Sequence, residues 1–73
     1  MMLEIQERVK KYIPASLMQY VSSADRFERD GGFRYNVEMN IDGEEVSIFA
    51  DSATGLTWAL RQVKNGIRGV IYG

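Results

Sequence analysis

Histidine and cysteine are both missing from the 73 residues. Without histidine the chain lacks the commonest general base at neutral pH and the commonest transition-metal ligand. Without cysteine it has no disulfide framework and no thiolate chemistry. No serine stands in a nucleophile-elbow pattern, and a serine nucleophile here would depend on Lys64 or a carboxylate for activation. Proline occurs once, at Pro14, and nothing is low-complexity or repeated. A large charge of either sign is also missing. The net charge of -1 gives no bulk attraction to polyphosphate, so nucleic acid is not the expected partner. No apolar run reaches bilayer-spanning length, and MMLEIQERVKK carries Glu4 and Glu7 where a secretory signal needs an apolar stretch. The expectation is a cytoplasmic protein without a membrane partner.

Apolar residues make up 45% of the chain and charged ones 26%, the composition of a folded domain. Residues 1–73 read as a single domain near the lower size limit for an unassisted apolar core, so self-association is an option from length alone. Charge is uneven along it. Residues 35–51 hold Glu38, Asp42, Glu44, Glu45 and Asp51 without a cation, and residues 52–73 hold Arg61, Lys64 and Arg68 without an acid.

Met2, Ile5, Val9, Tyr12 and Ile13 recur at helical spacing, which predicts a first amphipathic helix. Pro14 suits the first turn of a second, and Leu17, Tyr20, Val21 and Ala24 then share a face, predicting helix over 15–24, although LMQYV also fits a strand. In FRYNVEMNI, Phe33, Tyr35, Val37, Met39 and Ile41 alternate with Arg34, Asn36, Glu38 and Asn40, the period of a half-buried strand. Asp42-Gly43 suits a two-residue type I′ turn. Folding there sets Met39 opposite Val46, Val37 opposite Ile48 and Tyr35 opposite Ala50, and on the other face Glu38 opposite Ser47, Asn36 opposite Phe49 and Arg34 opposite Asp51. Asp51 or Ser52 caps a last helix with the core stripe Leu56, Ala59, Leu60 and Val63, and a β-helix-β crossover lays the tail along the hairpin as a short strand. The predicted fold is α+β, in the order α-α-β-β-α-β, with a small antiparallel sheet (hairpin 33–41/44–50 plus the tail) covered by helices on one face.

Gly66-Ile67-Arg68-Gly69 resembles the G-x-x-G loop of K-homology domains, which joins two helices and clamps a nucleic-acid backbone. The residues after Gly69 read as strand, not as that second helix, and Gly66 reads as a helix stop with Lys64 complementing the helix end and Ile67 making an apolar contact. Residues 14–65 resemble the double-stranded-RNA-binding domain in element order. Where that family places lysines, DSATGLTWAL offers Asp51 and no cation before Arg61, so the RNA function does not carry over. Phe49 and Arg34 on the polar sheet face could stack bases, but Glu38, Glu45 and Asp51 oppose phosphate there, and Phe49 is expected to tuck under the N-terminal helix. The tip DGEE lacks the spacing of a calcium cage, and Glu44 and Glu45, adjacent on a strand, point to opposite faces. No enzyme, cofactor or metal is expected.

Trp58, the only tryptophan, points away from the core stripe, beside Thr54, Arg61, Gln62 and Asn65. Either the N-terminal helix or the tail with Tyr72 covers it, or it is exposed with the composition of an interface hot spot. The leading expectation is a non-enzymatic interaction module whose partner, another protein or its own copy, docks on Trp58, Arg61, Thr54, Gln62 and Asn65. The alternative is a weak nucleic-acid binder using Arg61, Lys64 and Arg68.

Overall fold

The computed structural model describes residues 4–73. Its elements are β1 (Glu4–Ile5), α1 (Glu7–Lys10), α2 (Ala15–Met18), β2 (Val21–Arg29), β3 (Gly32–Ile41), β4 (Glu44–Ala50), α3 (Ala53–Lys64) and β5 (Gly69–Tyr72). The strands form one sheet in sequence order, with an antiparallel centre β2–β3–β4 and a parallel strand added at each side. Parallel neighbours need a crossover, and both crossovers are helical. They step the same way across the sheet from strands of the same direction, so the usual right hand puts α1, α2 and α3 on one face. The fold is therefore an α+β domain with helices on one face of a small sheet, as expected.

The central hairpin has the expected register: Tyr35 pairs with Ala50, Asn36 with Phe49, Val37 with Ile48, Glu38 with Ser47 and Met39 with Val46. Asp42 and Gly43 take φ of 52° and 89°, the paired positive values that a type I′ turn requires. The ladder stops one pair short of Arg34 and Asp51, and the Arg34 guanidinium donates to the Phe33 carbonyl at 3.2 Å.

The N-terminal third differs from the expectation. Ile5 lies in β1, Val9 in the single turn of α1, and Tyr12 and Ile13 follow that turn, so the 3.6-residue spacing joins three short pieces. Met2 lies outside the described residues. The helix predicted over 15–24 ends at Met18, and Val21 and Ala24 are buried from β2. A bulge at Ser22 disguises this strand: Val21 pairs with Met39 but Ser23 with Glu38, which breaks the alternation. Asp30 and Gly31, at φ of 52° and 78°, turn β2 into β3 by the same chemistry as the second hairpin.

The core is one cluster. Ala24, Tyr35, Val37, Met39, Val46, Ile48 and Ile71 from the sheet meet Val9, Ile13 and Leu17 from one crossover and Leu56, Ala59, Leu60 and Val63 from the other. Tyr12 packs edge-on against Tyr35, with ring centroids 6.1 Å apart. Arg26, on the core side at the end of β2, lies 4.0 Å over the Phe33 ring; its buried Nε has no hydrogen-bond partner, and the ring face supplies the compensating attraction. Among the described residues no helix covers the other sheet face. Phe49, expected to tuck under the N-terminal helix, stands on this open face and is 42% exposed.

Candidate functional site

The outer face of α3 is positioned by caps at both ends of the helix. Ser52 accepts a hydrogen bond from the Gly55 N–H at 3.0 Å. At the other end Gly66, at φ 100°, donates to the Val63 carbonyl and Ile67 to the Gln62 carbonyl, each at 3.0 Å, the two bonds of a Schellman stop. The G-x-x-G stretch is thus a helix terminus running into β5. Arg68 rather than Lys64 reaches the last turn, with Nη1 donating to the Val63 carbonyl at 3.0 Å. The Ile67 side chain, expected to pack there, is about half exposed.

With Leu56, Ala59, Leu60 and Val63 buried, the residues off that stripe face outward. Trp58 is 48% exposed. Tyr72 cannot cover it, because Tyr72 lies across the sheet, stacked on Phe49 at 5.8 Å. From the N-terminal segment, Tyr12 lines the hollow beside Trp58. Thr54, Arg61 and Asn65 are exposed beside Trp58, and Gln62 is half-buried. The helix therefore brings all five expected residues to one face. Tyr12, Ala53, Thr54, Thr57, Trp58 and Arg61 line a shallow hollow of about 440 Å³. Tyr12, Ala53 and Thr57 stand outside the five residues that the helical wheel selects. The helical spacing predicts Tyr12 in the core stripe of a continuous helix, whereas the chain turns before it and leaves the ring half-buried at the seam.

Electrostatics divide by layer. The helices and the segments that join or follow them carry Arg8, Lys10, Lys11, Arg61, Lys64 and Arg68 against Glu7, with Asp51 just ahead of α3. The strands β2–β4 with their turns carry Asp25, Glu28, Asp30, Glu38, Asp42, Glu44 and Glu45 against Arg26, Arg29 and Arg34. The small net charge hides this separation, and the helical side is the one that attracts anions. Of the basic residues singled out in the sequence, Arg61 and Lys64 are exposed on α3, whereas Arg68 is held by the Val63 and Ile67 carbonyls and lies 4.0 Å from Glu44.

A second hollow, of 390 Å³, opens on the helix-free face among Phe27, Arg29, Arg34, Phe49, Asp51 and Tyr72. Beside it Glu38 accepts hydrogen bonds from Asn36 Nδ2 at 2.8 Å and Ser47 Oγ at 2.6 Å. Among the described residues no group of three or more acidic side chains gathers as a metal would need, and no helix is long and apolar enough to cross a membrane. No protein-family model matches the chain, and comparison with curated proteins and with solved structures finds no match.

Proposed function

We propose that the chain is a small non-enzymatic interaction module that binds a partner protein through the outer face of α3. One observation carries this reading: Trp58 stands half exposed over a hollow walled by Tyr12 and Arg61, on the cationic side of the molecule. A large ring supplies contact area at small entropic cost, and a neighbouring guanidinium can stack on it or take a carboxylate. The fitting partner is a protein segment that places one apolar side chain against Trp58 and an acidic residue against Arg61. Thr54 flanks the contact, with Gln62 and Asn65 at its polar rim.

The test is affinity capture with four baits: wild type, Trp58→Ala, Arg61→Glu and Tyr72→Lys, the last altered on the opposite face. Partners of the proposed site are lost from the first two variants and kept by the third. Because the ring is half exposed, Trp58→Ala should leave the fold intact and change stability by no more than about 1 kcal/mol. Loss of folding in that variant, or capture indifferent to it, refutes the reading.

The charge division favours a second reading, nucleic-acid binding by the same side, with Arg61 and Lys64 as phosphate contacts and Arg68 already engaged at the helix end. It requires binding that falls steeply with salt, and no binding of single- or double-stranded oligonucleotides at low salt ends it.

A further inference from the structure

The open sheet face gathers four of the large apolar side chains that remain exposed: Phe27, Phe49, Val70 and Tyr72, the last 76% exposed. Among the charges on this face without an ionic partner in the described residues are one carboxylate and one guanidinium of opposite sign, both on β3. Glu38 is half-buried and fixed by Asn36 and Ser47, yet among the described residues no cation pairs with it. Arg34, half-buried on the same strand, pairs with no carboxylate among the described residues and donates to the neighbouring Phe33 carbonyl. A half-buried carboxylate and a half-buried guanidinium each gain from a counter-charge, and within one molecule neither has it.

Their placement supplies the answer. Asp25, Asn36, Phe49 and Tyr72 form one straight row across β2, β3, β4 and β5. On β3, Arg34 stands two residues to one side of this row and Glu38 two residues to the other. A second copy turned over about a two-fold axis along the row sets Arg34 against Glu38 of the partner subunit, and Glu38 against the partner subunit's Arg34. The same operation lays Phe49 on Phe49 and Tyr72 on Tyr72. Phe27 then meets Ser23, in the row of Glu38. The face is self-complementary about this axis, as a closed isologous contact demands. One like-charge pairing results, Asp25 on Asp25, away from the aromatic side of the row.

We infer that the helix-free sheet face is a homodimer interface in which reciprocal Arg34–Glu38 pairs flank a contact of Phe49 and Tyr72 rings. Its size fixes its strength. At ordinary strand spacing and rise, the face from β2 to β5 is about 19 Å wide and 23 Å long, covering on the order of 450 Å² per copy and roughly 900 Å² in total. That exceeds most incidental contacts and falls short of a standard permanent interface, so the dimer is expected to be reversible, with its midpoint at micromolar concentration or above.

Sedimentation equilibrium from low micromolar to millimolar protein tests this. The wild-type mass is expected to climb from the 8.3 kDa of one chain toward twice that value. Arg34→Glu and Glu38→Arg should each weaken association at least about tenfold by creating like-charge pairs. The double swap R34E/E38R restores opposite pairs and should return affinity to within roughly threefold of wild type. A wild type that stays monomeric throughout, or a double swap no better than its parents, overturns the proposal. Circular dichroism checks the fold of each variant. Should Glu38→Arg unfold, Tyr72→Lys decides alone, since association that persists with a lysine at the most exposed ring overturns the interface. Trp58→Ala is expected to dimerise normally. If it loses association while Tyr72→Lys keeps it, the self-contact is the α3 face and the sheet-face dimer is wrong, whatever becomes of partner capture.

Discussion

Gly66 allows the backbone contribution to stability to be separated from every contact. Its φ of 100° is one that L side chains rarely adopt, yet a Cβ added there meets nothing within 4 Å. Replacing it with L-alanine therefore costs conformational strain alone, about 1–2 kcal/mol for a left-handed position. The stiffer unfolded chain returns about 0.4–1 kcal/mol, leaving a net loss near 1 kcal/mol and a fall in Tm of roughly 4–8 °C. D-alanine has the mirror-image preference. It fits the same φ without strain, keeps the entropic gain, and should stabilise the protein by about 0.4–1 kcal/mol. The two enantiomers should thus differ by the strain itself, about 1–2 kcal/mol. A chain of this length is open to chemical synthesis, and urea unfolding of the three versions gives the comparison. Equal stabilities for the L and D variants would refute the assignment of Gly66 to a Schellman stop.

Ser52→Ala should cost about 1 kcal/mol in urea unfolding by orphaning the Gly55 N–H, and Ser52→Asp should retain most of it. Arg68→Ala should lower stability by about 1 kcal/mol, because Nη1 donates to both the Val63 and Ile67 carbonyls. Glu44→Gln should change thermal stability by less than about 0.5 kcal/mol, since its oxygen is 4.0 Å from Arg68 and its side chain is 67% exposed.

The parts of the fold legible in the sequence are those where independent signals agree. Residues 33–50 combine period-two alternation with Asp42-Gly43, and only one register matches apolar to apolar, so the pairing could be written residue by residue. The stripe of α3 and its stop at Gly66 were equally plain. β2 was hidden for three reasons. Ser22 bulges and resets the alternation, Arg26 and Glu28 occupy core-side positions at a sheet end where solvent reaches them, and Phe27 points to the open face. Asp30-Gly31 was the available signal, identical in chemistry to the turn that was read. β1 was lost because a two-residue strand has no period of its own. The five expected α3 residues follow from the helical wheel, but Tyr12 joins them only through the chain reversal after α1, a tertiary fact. The sequence places Phe49 and Arg34 on one sheet face, but not Tyr72 beside them, because the N-terminal helix is expected over Phe49 and the tail is a candidate cover for Trp58.

Helices α1, α2 and α3 lie on one side of the sheet, and this one-sidedness bears on valency. A pair joined through the bare faces would carry two Trp58 surfaces directed away from each other, roughly 30–40 Å apart at about 10 Å per packed layer. A single short target segment would see two independent sites. A partner carrying two such segments on a flexible tether of roughly 30–50 residues could bridge both, and avidity would then raise its retention by about 10²–10⁴ without any new contact. Modest affinity at each tryptophan would suffice for a selective response to doubly tagged partners, while singly tagged ones would exchange freely.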